Sequence, residues 1–338
     1  MATIKKLSID ILIPTYNGSL VITETIKSIL TQSYKNFKIL VCDDASKDNT
    51  VSVLKQIKDD RLVIIENKKN VGYSANLERA RQHATADIIY LMGQDDILAK
   101  NALKNTINAF KLNPNIGAVT RPYYWFDKDI NKPVRAKKQL NPKKDTIVRI
   151  TDNPKKIIRV FETLDQLSGL AYRRQFMDLP FHPDIFPCHI YPFASIFKNH
   201  PVVFLKNYNV AVRISSSQTR SLSSIYTKSP LLSWVEMVKS IYSTKKYQKV
   251  KKYLIKDFIT KNYVGLVQLR NYAKYKYFLR EIWYLVKFNW QNLFCFSFWF
   301  FSLGCIICPP FILIPMVDWY KNKIYSKSLK KINFEYKL

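Results

Sequence analysis

Asp87-Ile88-Ile89-Tyr90-Leu91-Met92-Gly93-Gln94-Asp95-Asp96 is the stretch on which the reading of this chain turns. Asp87 to Leu91 reads as a strand buried on both faces. A helical pattern follows from about Lys100 to Leu112. Two adjacent carboxylates therefore sit where a strand ends and the chain turns. In an open α/β sheet, ligands bind in the crevice beyond the carboxyl ends of the strands. Hard carboxylate oxygens suit Mg²⁺ or Mn²⁺, which bind through one or two carboxylates plus substrate phosphates. Taken alone, Asp95-Asp96 would serve equally well as an acidic turn or a helix N-cap. The residues upstream separate these readings.

Ile9 to Pro14 reads as a short buried strand, and Thr15-Tyr16-Asn17-Gly18 as a turn. Glu24 to Gln32 carries Ile26, Ile29 and Leu30 on one helical face. Phe37 to Cys42 is a second strand, ending at Asp43-Asp44. A helix from about Thr50 to Lys58 follows, then a third strand at Leu62 to Ile65. Asn70 to Asn76 opens a further helix that runs to about His83. Strand and helix alternate at short spacing, which predicts βαβ units and a parallel sheet with helices on both faces. Two acidic pairs, Asp43-Asp44 and Asp95-Asp96, then lie at strand ends, with Tyr16 at a third. A carboxylate can accept from a base N–H or from ribose hydroxyls, and a tyrosine ring can stack on a base. The chain has seven glycines and no Gly-rich phosphate loop. A metal is the remaining obvious way to manage phosphate charge.

Ile11-Leu12-Ile13-Pro14-Thr15-Tyr16-Asn17, Val41 to Thr50, Asn70-Val71-Gly72-x-x-x-Asn76 and Gln94-Asp95-Asp96 resemble the family 2 glycosyltransferases over about residues 8–120. The resemblance implies an inverting enzyme with a GT-A fold and a nucleotide-sugar donor. By it, Pro14, Tyr16 and Asp44 would frame the nucleobase and ribose, and Asn76 would lie near the donor. Asp95 would contact ribose or sugar, and Asp96 would bind the Mg²⁺ or Mn²⁺.

Further on, Gly117 to Val119 and Tyr123 to Phe126 read as strands, and Asp127 to Asp152 as an exposed loop or irregular hairpin. Ser168 to Arg174 resembles the segment entering the acceptor half of the site. Family members commonly then place a Glu-Asp pair ahead of a helix, one carboxylate acting as general base. This chain has Phe186-Pro187-Cys188-His189-Ile190 there. A base must take a proton from the acceptor hydroxyl, and histidine has a suitable pKa. His189 is the candidate on that ground, with Asp184 second. Ser215 to Ser224 reads as a polar loop able to close over the donor, with Arg213, Gln218 or Arg220 able to meet the diphosphate.

The whole chain has 54 Lys and Arg against 25 Asp and Glu, a net +29. Nearly all of that excess lies beyond residue 120. Such a field attracts a polyanion, either nucleic acid or an anionic lipid surface. Five cysteines make no disulfide framework or zinc spacing, and the polar, basic start lacks the features of a signal peptide. A reducing, cytosolic compartment is the default. Leu293 to Val317 is an uncharged run broken by Pro309-Pro310 and flanked by basic residues on both sides. Leu293 to Cys308 gives roughly 24 Å of helix at 1.5 Å per residue, short of the roughly 30 Å hydrocarbon layer. Basic residues on both flanks place both ends on the cytoplasmic face. A helix–Pro-Pro–helix that dips into one leaflet or lies in the interface follows, rather than a clean span.

These observations predict an α/β GT-A catalytic domain over 1–225, with a nucleotide-sugar half at about 1–120 and an acceptor half at 121–225. A basic helical region, 226–290, and a membrane-associating segment with a basic tail, 291–338, complete the chain. The protein would sit on the cytoplasmic face of the inner (plasma) membrane, peripherally, as a monotopic protein or through a single C-terminal segment. Its expected partners are a nucleotide sugar, by preference a UDP-sugar, a polyprenyl-diphosphate-linked saccharide acceptor and an anionic membrane surface, with no nucleic acid. A nucleic-acid-binding protein and a catalytically silent GT-A scaffold are the alternatives. The first is motivated by the charge, the second by the missing Glu-Asp pair.

Overall fold

Strand β1 (Ile9–Thr15) is apolar on both faces and buried almost throughout, as the centre of a two-sided sheet requires. In the computed structural model, which describes residues 6–215, 223–329 and 332–338, it pairs in parallel with β2 (Phe37–Asp43) and with β4 (Ile88–Leu91). The flanking β3 (Leu62–Glu66) is parallel to β2. Helices α1 (Ile22–Leu30), α2 (Thr50–Lys55) and α3 (Tyr73–Gln82) make the crossovers. Ile22, Ile26 and Ile29 of α1 recur at helical spacing and enter the core with Ile11, Ile13 and Val41. The order β3-β2-β1-β4 places the carboxyl ends of three neighbouring strands at one edge.

Beyond β4 the sheet is mixed. After β5 (Ile97–Leu98) and α4 (Ala102–Lys111) come β6 (Ala118–Thr120), β7 (Tyr123–Phe126), β8 (Arg135–Lys137) and β9 (Thr146–Val148). They are followed by α5 (Pro154–Phe161), β10 (Ala171–Arg173), α6 (Ile190–Asn199), β11 (Val202–Phe204) and β12 (Val210–Arg213). The large sheet has the order β3-β2-β1-β4-β10-β6-β11-β9, with β10 antiparallel to both neighbours. A second sheet has the order β5-β12-β7-β8. The segment read as a loop or hairpin, 127–152, thus supplies an edge strand to each sheet.

The chain divides into two units, Met1–Ile214 with Lys331–Leu338, and Ser215–Lys330. The C-terminal segment returns to the first unit. Ile332, Phe334 and Tyr336 pack with Ile97, Tyr124, Phe126 and Ala211. The Lys100 N–H donates to Glu335 O at 2.8 Å, and the Thr31 hydroxyl to Lys337 O at 2.9 Å. The sequence reading grouped these residues with the membrane-associating segment. Their alternation of apolar and polar residues lets one face cover the small sheet instead.

The second unit is helical: α7 (Pro230–Ile241), α8 (Gln248–Lys261), α9 (Tyr263–Tyr272), α10 (Tyr275–Phe288), α11 (Phe296–Ile307) and α12 (Pro310–Trp319). The uncharged run forms α11 and α12, broken at Cys308-Pro309, with Pro310 in the first turn of α12, where its missing N–H is no loss. No described helix is long and apolar enough to cross a membrane. Gln218 and Arg220 lie outside the described residues.

Candidate active site

The loops that leave β1, β2 and β4 are bonded to one another. Pro14 pairs with Cys42 across β1 and β2, and the Asp44 N–H donates to Thr15 O at 2.9 Å. Gln94 reaches back to the β1 loop. Its Oε1 accepts from the Thr15 hydroxyl at 2.5 Å and from the Tyr16 N–H at 2.9 Å. Asn17 takes a left-handed φ of 51° and its N–H donates to Ser46 Oγ at 2.9 Å, while its Oδ1 accepts from Lys47 N–H at 2.8 Å. Tyr16, Asp44 and the Gln94-Asp95-Asp96 turn, picked from sequence, therefore share one rim.

Asp44 is buried, and its carboxylate accepts from three donors. Asn67 Nδ2 and the Val71 N–H meet Oδ1 at 2.9 and 2.8 Å, and the Gly72 N–H meets Oδ2 at 2.8 Å. Gly72 has φ +86°, a conformation that suits glycine, and begins α3. Asp44 thus pins the start of α3 while keeping unused lone pairs for a ligand. Asn76 is also buried. Its Nδ2 donates to Cys42 O at 2.7 Å and its Oδ1 accepts from Asn67 at 2.9 Å, so its amide ties α3 to β2. Asn67 joins both networks and was not singled out from the sequence; a lone Asn after a strand carries no distinguishing signal.

Asp96 is buried, and Asp95 is partly exposed. The Asp96 carboxylate accepts from the Ser168 hydroxyl and, at 2.9 Å, from the Arg213 N–H. Ser168 in turn accepts from the Gly93 N–H at 2.7 Å. A Cβ on Gly93 would stand 3.0 Å from Asp96 Oδ2 and 3.1 Å from Asp95 Oδ1, so the two carboxylates converge in front of this glycine. Burial, and then the charge of Asp95, push the Asp96 carboxyl well above the usual carboxylate range. Two carboxylates that converge at a strand end in this way fit a divalent cation. Among the described residues no cluster of three or more His, Cys, Asp or Glu is poised to hold a metal, so a cation would complete its shell with water and phosphate oxygens. The Arg213 guanidinium lies beside the pair, donating to Asp95 O at 3.1 Å, pairing with Glu24 and covering Phe126.

The acceptor-side segment is held from beneath by Arg121, which is fully buried and was not singled out from the sequence. Its guanidinium donates to Ser168 O at 2.6 Å, Thr163 O at 2.9 Å and Gln166 O at 2.8 Å. These bonds fix the loop that carries Ser168 onto Asp96. His189, the sequence candidate for the base, precedes α6 and is 5% exposed. Its Nε2 is bonded to Leu164 O at 2.8 Å, and its Nδ1 is enclosed without a partner. Burial pulls its pKa down to about 4. The ring is therefore neutral at neutral pH, with neither nitrogen open to an acceptor hydroxyl. Asp184 is buried too, its Oδ1 accepting from the Phe186 N–H at 3.4 Å. Its segment packs on α3, where the Phe181 N–H donates to Glu78 at 2.9 Å. The two base candidates are thus interior groups. A cavity of about 350 Å³ beside Asn105, Asn209 and Glu335 lies at the far end of β12 from Arg213.

Residues 10–164 match the profile of glycosyl transferase family 2. The Bacillus subtilis (strain 168) protein EpsE is 36% identical over 102 residues, 29% of this chain and 37% of its own length. The Escherichia coli UDP-Glc:α-D-GlcNAc-diphosphoundecaprenol β-1,3-glucosyltransferase WfgD is 32% identical over 105 residues, 31% of this chain and 42% of its own length. The match thus spans about two fifths of these curated relatives. Among solved structures, residues 1–349 of S. aureus TarS, in complex with UDP-GlcNAc, superpose with a TM-score of 0.64 at 13% identity, covering 95% of this chain and 92% of that one. The Pyrobaculum calidifontis mannosyltransferase PcManGT, in complex with GDP-Man and Mn²⁺, gives 0.55 at 15% identity, covering 90% and 87%. At these identities the superpositions bear on the fold alone.

Proposed function

We propose, from the match of residues 10–164 to glycosyl transferase family 2, that this chain moves a sugar with inversion from a UDP-sugar to a hydroxyl of a lipid-linked saccharide. The observation that carries this reading is the shared rim of the β1, β2 and β4 loops, where Tyr16 and Asp44 stand beside the converging carboxylates of Asp95 and Asp96. Tyr16 and Asp44 hold the nucleobase and ribose, and Asp95 and Asp96 face the diphosphate. Asp95, the more exposed of the pair, and Asp96, through lone pairs that Ser168 and Arg213 leave unused, hold the Mg²⁺ or Mn²⁺. When bound, that ion neutralises the diphosphate and stabilises it as leaving group. Arg213 adds a second positive charge by exchanging the half-exposed Glu24 for a phosphate oxygen. Asn76, in contrast, acts through Asp44 by fixing the start of α3.

The acceptor class rests on WfgD, whose name gives a diphosphoundecaprenol-linked substrate. A place at a membrane surface suits such an acceptor. Phe296, Phe300, Ile307, Phe311 and Met316 of α11 and α12 are exposed, an apolar surface that favours an anionic lipid interface when basic residues such as Lys287, Lys321 and Lys323 flank it. The synthesis of a surface polysaccharide is the setting that unites donor, acceptor and membrane.

The test is nucleoside diphosphate release by detergent-solubilised protein over a panel of UDP- and GDP-sugars, with Mn²⁺, Mg²⁺ or EDTA. Release from one donor, abolished by EDTA, is the expected result. No release and no donor binding with either metal would overturn the reading. Flotation with vesicles tests the membrane surface: retention should rise with the anionic lipid fraction, and equal retention by neutral vesicles would remove the charge argument.

A further inference from the structure

A hydroxyl that attacks an anomeric carbon must give up its proton, and the helix entry where similar enzymes hold a carboxylate holds His189. That ring is enclosed, but what encloses it is informative. Its Nε2 bonds Leu164 O at 2.8 Å, which sets the ring against the segment that carries the next residue, Asp165. The Asp165 side chain is 48% exposed, unlike those of Asp96 and Asp184.

Three features place Asp165 with respect to the donor carboxylates. Ser168, three residues on in the same loop, bonds Asp96, so one short loop carries both Asp165 and the partner of the donor-side carboxylate. The loop itself is held by the three Arg121 bonds to Thr163, Gln166 and Ser168, on both sides of Asp165. The carboxylate is oriented by the Tyr123 hydroxyl on Oδ1 and by Lys137 Nζ at 3.4 Å from Oδ2. A half-open group on a fixed loop, with two donors setting its direction, has the preorganisation a proton acceptor needs.

We propose that Asp165 is the general base of the transfer, supplying from the loop after α5 the carboxylate that the entry to α6 lacks. This rests on the reading given under Proposed function. Its carboxylate takes the acceptor hydroxyl proton as the acceptor oxygen forms its bond to the anomeric carbon. The bond from that carbon to the diphosphate oxygen breaks, and the nucleoside diphosphate leaves with the electron pair. No redox partner is involved. Lys137 and Tyr123 act on Asp165 and do not touch the reacting atoms.

The experiment compares full-length wild type, Asp165→Asn, Asp165→Ala and His189→Gln in detergent. It measures transfer from UDP-glucose, UDP-N-acetylglucosamine and UDP-galactose to GlcNAc-diphosphoundecaprenol, together with UDP binding in Mn²⁺. Both Asp165 variants should lose at least about a hundredfold in transfer rate, with UDP affinity within about twofold of wild type. Formate, a small carboxylate that fits the vacated space, should restore part of the rate to Asp165→Ala alone. His189→Gln should stay within about tenfold of wild type. Transfer by Asp165→Asn within about threefold of wild type would overturn the assignment. Should wild type bind no UDP with Mn²⁺, the parent reading fails first, and that failure is visible without any variant.

Discussion

Replacing His189 by glutamine removes a titrating ring while keeping a side-chain N–H able to reach the Leu164 carbonyl. The wild-type ring is buried, with its pKa pulled down to about 4 from the ordinary 6.5. Above pH 6.5 the ring is neutral in the folded and the unfolded chain, and stability is intact. As pH falls below 6.5 the unfolded chain takes up a proton that the folded chain refuses until about pH 4. Stability is therefore lost across that window. The gap corresponds to about 3 kcal/mol when fully expressed, most of which is gone by pH 4.5. Other groups, including Asp96, whose raised pKa works in the opposite direction, are common to both proteins and cancel in the difference. Urea unfolding of wild type and His189→Gln at pH 7 and pH 4.5 measures it. The stability difference between the two proteins should move by about 2–3 kcal/mol in favour of the variant at the lower pH. A movement under about 0.5 kcal/mol would show that water reaches the ring, and would restore His189 as a candidate base.

Arg121→Met should destabilise the first unit by about 2–4 kcal/mol in urea unfolding, because three loop carbonyls lose a charged donor, and Arg121→Lys should not recover it, since an ammonium holds its three donors on one nitrogen and cannot reach carbonyls spaced for Nε, Nη1 and Nη2. Equal stability of the lysine variant would contradict the clamp. Gly93→Ala sets a methyl 3.0–3.2 Å from Asp96, Asp95 and Ser168; calorimetry should find UDP binding in Mn²⁺ weakened about tenfold, or about 1.4 kcal/mol, with the fold retained. Unchanged affinity would mean that the two carboxylates do not act together there. Phe334→Ala should lower stability by about 1–3 kcal/mol, from the packing it loses against Tyr124, and a neutral result would detach the C-terminal segment from the small sheet.

The first half of the fold was legible because its strands are long. Ile9–Thr15 and Phe37–Asp43 are seven residues each, apolar enough to stand out, and each ends in a turn with its own chemistry. In the acceptor half the strands read from Gly117 to Val119 and from Tyr123 to Phe126 could be found, and they are β6 and β7, but β8, β9, β10 and β11 are three residues each, too short for any period to show. Tyr16, Asp44 and Asp95-Asp96 could be grouped from sequence, since a parallel sheet brings neighbouring strand ends together whatever the details. Which groups stay open to a ligand is a matter of packing, and there the reading ran out. The burial of His189 and Asn76 depends on segments distant in sequence, and Arg121 is one arginine among many until its three carbonyl partners are seen. The final segment differs: Ile332, Phe334 and Tyr336 alternate with polar residues, as a segment that covers a sheet with one face does, but the run of lysines before them has the same composition as a basic tail at a membrane.

The central claim is that the rim formed by the β1, β2 and β4 loops binds a nucleoside diphosphate through a cation at Asp95 and Asp96. Isothermal titration of UDP into wild type and Asp96→Asn, each with Mn²⁺ and with EDTA, tests it most directly. The account predicts binding to wild type in Mn²⁺ that is lost in EDTA, and at least about a tenfold weaker affinity, about 1.4 kcal/mol, for Asp96→Asn in Mn²⁺. Equal UDP affinity of the two proteins, with or without the metal, would contradict it.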